Sequence, residues 1–141
     1  MTIKKLTAAT PEALADINAI NSQLHDDGRK GTLAELEAIV DNKNCILLVA
    51  KDGDKIVGMA SLYIMPKLGK RSAYVEDVVV DGAYRGQGLG EKLMRDIIDT
   101  ARTEKVNTLY LTSRPDRVAA RALYNKIGFT VKDTAVFKMD L

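Results

Sequence analysis

Histidine and cysteine occur once each in 141 residues, as His25 and Cys45, and tryptophan does not occur at all. A single thiol supports neither an internal disulfide framework nor a multi-thiolate metal site. A single imidazole leaves no histidine-based metal site and no Ser-His-Asp triad. Few catalytic chemistries survive these exclusions. An excess of one charge is lacking too: 21 Lys and Arg stand against 19 Asp and Glu, and a formal +2 makes no broad basic field for a nucleic-acid backbone or an acidic membrane. Two Phe and five Tyr offer few surfaces for stacking bases, which further disfavours nucleic-acid binding. No apolar run resembles a signal peptide or approaches membrane-spanning length, so a cytoplasmic setting is expected. Length and a 46% apolar content imply one domain over residues 1–141 with a single core.

What is present divides into alternating strand-like and helix-like pieces. Thr2–Thr7 reads as a strand. Thr10-Pro11 is an N-cap with proline at the first helical position, and Ala13, Ile17, Ile20 and Leu24 continue at helical spacing to about His25. Thr32-Leu-Ala-Glu35 is a capping box for a second helix carrying Leu36, Ile39 and Val40. Cys45–Lys51 and Lys55–Ile64 flank an Asp-Gly-Asp turn and predict an antiparallel pair. After a loop at Pro66–Lys70, Ser72–Val80 ends in three valines and reads as a central strand. Leu89, Leu93, Ile97 and Ala101 mark a long helix to about Glu104. Thr108–Leu111 is a strand, and Ser113-Arg-Pro-Asp116 predicts a helix start ahead of Ala119, Ala120, Leu123 and Ile127, with Gly128 as terminator. Phe129–Lys132 and Val136–Leu141 are expected to close the chain as two strands. The order β-α-α-β-β-β-α-β-α-β-β predicts an α/β fold: a mixed, mostly antiparallel sheet of about seven strands flanked by four helices.

Between the valine strand and the long helix lies Arg85-Gly86-Gln87-Gly88-Leu89-Gly90. Successive backbone N–H groups and a helix N-terminus converge there on an anion, glycines permit left-handed backbone, and Arg85 adds a cation for phosphate oxygens. A tight turn without ligand is the alternative, although a simple turn needs one glycine rather than three. A Walker A loop would need Lys and then Ser or Thr after its last glycine, where Glu91, Lys92 and Leu93 stand. A dinucleotide fingerprint would need glycine at position 91 and an acid closing the next strand, where Thr112-Ser113 stand.

The pattern Arg/Gln-x-x-Gly-x-Gly/Ala is matched by Arg85, Gly88 and Gly90, and on it the sequence resembles the GCN5-related N-acetyltransferase (GNAT) superfamily. Val75–Asp81 with Tyr84–Gly90 is similar to the corresponding stretch of glucosamine-6-phosphate N-acetyltransferases. Thr112–Arg117, Ala119-Ala120 and Leu123–Phe129 resemble the downstream motif of small bacterial members. The resemblance implies that Arg85, Gly86, Gln87, Gly88, Leu89, Gly90 and Glu91 hold the pyrophosphate of acetyl-CoA as cosubstrate. It also implies that a bulge around Val78, Val79 and Val80 frees backbone groups for the pantetheine arm and the thioester oxygen. The resemblance also places Tyr124, in Leu123-Tyr124-Asn125-Lys126, at the family's general-acid position, where a phenol with a pKa of about 10 can protonate a thiolate whose thiol lies near 8.5; an amphipathic packing tyrosine is the alternative. Glu76, two residues before Val78 and on its side of a regular strand, is either the base for the amine, directly or through a water, or a partner for a substrate cation or for Arg71 or Arg114 in a structural ion pair. Asp77 would point to the other face.

Family members commonly carry an asparagine in the downstream helix, where this chain has Arg117 and Arg121. Arg117 or Lys126 would instead meet a CoA phosphate, or simply form a solvated face. The resemblance places acceptor choice in His25, Asp26, Asp27, Arg29 and Lys30, and in Lys67, Lys70 and Arg71, so the acceptor is a small-molecule or peptide amine whose identity stays open. A non-catalytic CoA-binding module is the competing reading. The apolar segment Ala135–Leu141 is expected as an edge strand that either pairs across a homodimer axis or is covered by its own neighbour.

Overall fold

A computed structural model describes residues 1–141, which resolve into two compact units, residues 1–111 and 112–141. The first unit runs β1 (Thr2–Lys5), α1 (Pro11–Asn21), α2 (Leu33–Asp41), β2 (Cys45–Asp52), β3 (Lys55–Lys67), β4 (Lys70–Val80), a 3-10 turn (Gly82–Tyr84), α3 (Leu89–Thr103) and β5 (Thr108–Tyr110). Its sheet has the order β1-β2-β3-β4-β5, antiparallel except for the parallel β4/β5 pair.

Local signals set the helix starts. Thr10 accepts from the Ala13 amide at 3.1 Å with Pro11 opening α1, and Thr32 and Glu35 form a reciprocal capping box on α2. These two helices cover one sheet face. Ile17, Ile20 and Leu36 pack with Leu47, Val49, Met59 and Val79. α3 covers the other face, where Leu93, Met94 and Ile97 are fully buried, each contributing about 1.5–3 kcal/mol of apolar burial. Gly58 alternates with Met59 and faces α3: a Cβ there would lie 3.1 Å from Leu93 Cδ1 and 3.3 Å from the Val79 carbonyl oxygen.

Three expectations are corrected. The segment Pro66–Lys70 is not a loop but the end of a hairpin, in which Lys67 pairs with Lys70 across Leu68-Gly69. Pro66 is tolerated in β3 because Ile64 already donates to the carbonyl of Asn44, the residue just before β2. Two residues further on, the missing proline N–H would face no strand. The downstream helix starts at Val118, not at Ser113–Asp116. Pro115-Asp116 instead form a turn closed by the Arg117 amide donating to the Arg114 carbonyl at 3.1 Å, as proline's fixed φ favours.

The sheet has five strands rather than about seven, because Phe129–Lys132 and Val136–Leu141 form no ladder. Their β-rich composition describes fit to a half-buried pleat, whereas Val131, Val136, Phe137, Met139 and Leu141 are all exposed. The expected terminal edge strand is therefore absent. The unit 112–141 holds α4 (Val118–Lys126), ended by Gly128 at φ +111°.

Candidate active site

The site grows from a defect in β4. Ser61 faces Glu76 and Met59 faces Val79, so Asp77 and Val78 together oppose the single residue Ala60. This is a β-bulge, and Asp77 adopts φ +51° within it. The bulge thus lies at Asp77-Val78, at the front of the Val78–Val80 stretch. It also shifts the pleat. Facing residues share a sheet face, so Glu76 lies on the side of Val79 and not of Val78, and the regular-strand placement of Glu76 and Asp77 does not hold.

β5 pairs only with Ser72, Ala73 and Tyr74. From Val75 to Val80 the β5-side edge of β4 has no strand partner, while its other edge stays paired to β3 as far as Gly58 opposite Val80. Unpaired backbone donors and acceptors beside a bulge suit an extended ligand that bonds as a strand would.

β4 leads through the 3-10 turn at Gly82–Tyr84 into the glycine-rich turn. Gly86 and Gly88 take φ +78° and +79°, and nothing lies within 4 Å of where their Cβ atoms would be. Backbone angle, not lack of room, is what calls for glycine at these positions. Gly88 is the N-cap of α3 and supplies no side-chain cap, so the first amides of this fifteen-residue helix point out unsatisfied by the helix itself. Arg85 is committed in part to structure: its Nε donates to the Val80 carbonyl at 2.9 Å and its Nη2 to Gln23 Oε1 at 3.3 Å. The same Gln23 oxygen accepts from the Gly82 amide, and Tyr84 donates to Asp52 at 2.7 Å. Gln87 is exposed, Leu89 is buried under the turn, Gly90 lies in the first turn of α3, and Glu91 accepts from Arg95.

Glu76 is exposed at the surface and only partly desolvated. Burial, and then the charge of Asp77, raise its carboxyl above the ordinary glutamate value, with His25 opposing. Tyr63, Tyr74 and Tyr110 fall directly in register across β3, β4 and β5. Tyr74 and Tyr110 stack at 5.2 Å, and Lys70 Nζ lies 5.5 Å over the Tyr110 ring. This row escaped sequence reasoning, although Tyr63 and Tyr74 are equidistant from Leu68-Gly69 and placing the turn there would have paired them. Gln23 and Asp52 left no sequence signal, being 59 and 32 residues from their partners.

A family profile described as acetyltransferase (GNAT) family matches residues 13–129. The chain belongs to this family. It is 37% identical over 90 residues to a glucosamine 6-phosphate N-acetyltransferase of Trypanosoma brucei brucei, across 62% of this chain and 58% of that protein. It is 36% identical over 80 residues to the N-alpha-acetyltransferase RimI of Mycobacterium tuberculosis, across 57% of this chain and 49% of the relative. The matches thus take in about half the length of these relatives. A crystal structure of a Trypanosoma brucei acetyltransferase superposes with TM-score 0.78 at 28% identity, covering 99% of each chain.

The remaining GNAT candidates lie on α4. Tyr124 meets Phe129 edge-on at 6.1 Å, and burial raises its phenol above the ordinary value, with Arg117 opposing. Arg117 is the N-cap residue and Lys126 closes the last turn. No group of three or more His, Cys, Asp or Glu is arranged to hold a metal ion, and no helix is long and apolar enough to cross a membrane.

Proposed function

We propose that residues 1–141 act as one acetyl-CoA-dependent N-acetyltransferase domain, moving an acetyl group to a primary amine by direct attack in a ternary complex. The observation that carries this reading is β4, which is bulged at Asp77-Val78, unpaired along one edge, and continuous with the uncapped, glycine-rich start of α3. Those amides and the open space over Gly86 and Gly88 fit a pyrophosphate. Arg85 would anchor the turn while presenting its remaining donors, and the unpaired edge at Val78–Val80 would hold the pantetheine arm.

Acetyl-CoA would supply the acyl group on a thioester whose thiolate leaves. Glu76, its basicity raised by burial, would accept the amine proton directly or through water. Backbone N–H groups at the bulge would face the developing oxyanion without reorganising, and Tyr124 would give its phenolic proton to the departing sulfur.

The acceptor is assigned only as a small-molecule or peptide amine. The two relatives above are named for a sugar phosphate and for an N-alpha amine, and the α1/α2 connection here carries both signs of charge. A CoA-binding module without turnover is the second reading. Transfer assays over an amine panel, with CoA affinity measured in parallel, separate the two. Tyr124→Phe is expected to lower kcat roughly 10²-fold with CoA binding retained. Tight CoA binding with no transfer to any amine supports the module instead.

A further inference from the structure

Asp77 is the anomaly of the bulge. A residue with a Cβ at φ +51° gives up about 1–2 kcal/mol that glycine would not, so its side chain is worth examining. That side chain bonds neither its own backbone nor β3. Asp77 Oδ1 lies 3.1 Å from Nε2 of His25, which is 52 residues earlier in the connection between α1 and α2. The other ring nitrogen, Nδ1, lies 3.1 Å from Nη2 of Arg29, and Arg29 Nε donates to Asp27 Oδ2 at 2.9 Å.

A guanidinium only donates. His25 Nδ1 must therefore present its lone pair to Arg29, which puts the ring proton on Nε2, where it is donated to the Asp77 carboxylate. One tautomer satisfies both partners. The result is a continuous chain, Asp77–His25–Arg29–Asp27, running from the β4 bulge into the α1/α2 connection. The His25 and Asp77 side chains are partly shielded, at 26% and 30% exposure, whereas Arg29 and Asp27 are exposed.

We propose that His25 is a positioning residue: by donating from Nε2 to Asp77 it holds the β4 bulge, and with it the backbone of Val78 and Val79, in register with the α1/α2 connection. The proposal rests on the acetyltransferase reading for its catalytic meaning, but the link itself can be measured without turnover. His25 does not touch the reacting atoms. Its effect passes through Asp77 to the neighbouring amides.

Because His25 is the chain's one histidine, its ring nitrogens give an unambiguous 15N NMR signature in the full-length protein. The Nε2–H tautomer is expected, perturbed by Asp77→Gly, which removes the acceptor while keeping the φ angle accessible. An Nδ1–H tautomer, or a ring signature indifferent to Asp77→Gly, overturns the assignment. Adding CoA is expected to shift the Val78 and Val79 amides in the wild type and in His25→Gln, whose Nε2 replaces the imidazole donor, and to shift them less in His25→Ala. Equal responses in the two variants overturn the positioning role.

In turnover at saturating acetyl-CoA, His25→Ala is expected to lower kcat roughly tenfold and His25→Gln to stay within about threefold of wild type. Equal losses, or no loss in His25→Ala, count against the proposal. A wild-type protein that binds CoA but transfers no acetyl group defeats the acetyltransferase reading, and the two NMR measurements then decide on His25 alone.

Discussion

Glu76 has two opposing demands placed on it. Its carboxyl is raised first by burial and then by Asp77, which suits a base but costs the fold. Below its unfolded pKa the group is protonated in both states. Between the unfolded and the raised folded value the native state holds the extra proton, so stability falls as pH rises through that window and stays lower above it. Glu76→Gln removes the dependence. The variant is expected to melt at a higher temperature than wild type at pH 8 and to show no difference at pH 3, as thermal denaturation at the two pH values would read. The same variant is expected to lose turnover, and the acid limb of wild-type kcat/KM should lie above the usual glutamate range. At this scale residue types were legible and partners were not. The sequence marks Glu76, Arg85 and Tyr124 as chemically useful, yet gives no sign that Arg85 is tied to Val80 and Gln23, or Asp77 to His25.

The starts of α1 and α2 were readable because a cap is a contact between residues three apart, as in Thr10 with Ala13 and Thr32 with Glu35, whereas α4, which no side chain caps, begins later than its Ser-Arg-Pro-Asp signal implied. Strands were readable only where something pairs with them. Cys45–Asp52 and Lys55–Lys67 find partners, whereas Phe129–Lys132 and Val136–Leu141, with the same kind of composition, do not. The contact between β3 and α3 gives an element-scale prediction. Gly58→Ala places a Cβ 3.3 Å from the Val79 carbonyl and 3.1 Å from Leu93 Cδ1, in a strand held on both edges. Leu93 can shift, but the carbonyl belongs to the bulged strand and cannot move without it. The substitution is expected to cost about 1–2 kcal/mol in chemical denaturation, and to weaken acetyl transfer beyond the loss of folded protein because the crowded carbonyl belongs to the strand proposed to hold the pantetheine arm.

Across the whole molecule, a ligand that binds only the folded chain stabilises it by mass action. Acetyl-CoA at about 100 times its Kd is expected to add about 2.7 kcal/mol, visible as a concentration-dependent rise in melting temperature. Arg85→Ala should shrink that rise at equal ligand concentration, since the side chain braces the turn against Val80. The single histidine and single cysteine, the element order as far as α4, the caps of α1 and α2 and the glycine-rich turn were determined by the sequence alone. Each depends on composition or on residues within a few positions of one another, where periodicity, capping and allowed backbone angles act directly. The bulge at Asp77-Val78, the switch of Glu76 to the face of Val79, the tyrosine row and the chain from Asp77 to Asp27 were decided only by tertiary structure. They follow from strand register and from side chains tens of residues apart in sequence, and local propensity carries no information about such pairings until the strands are aligned.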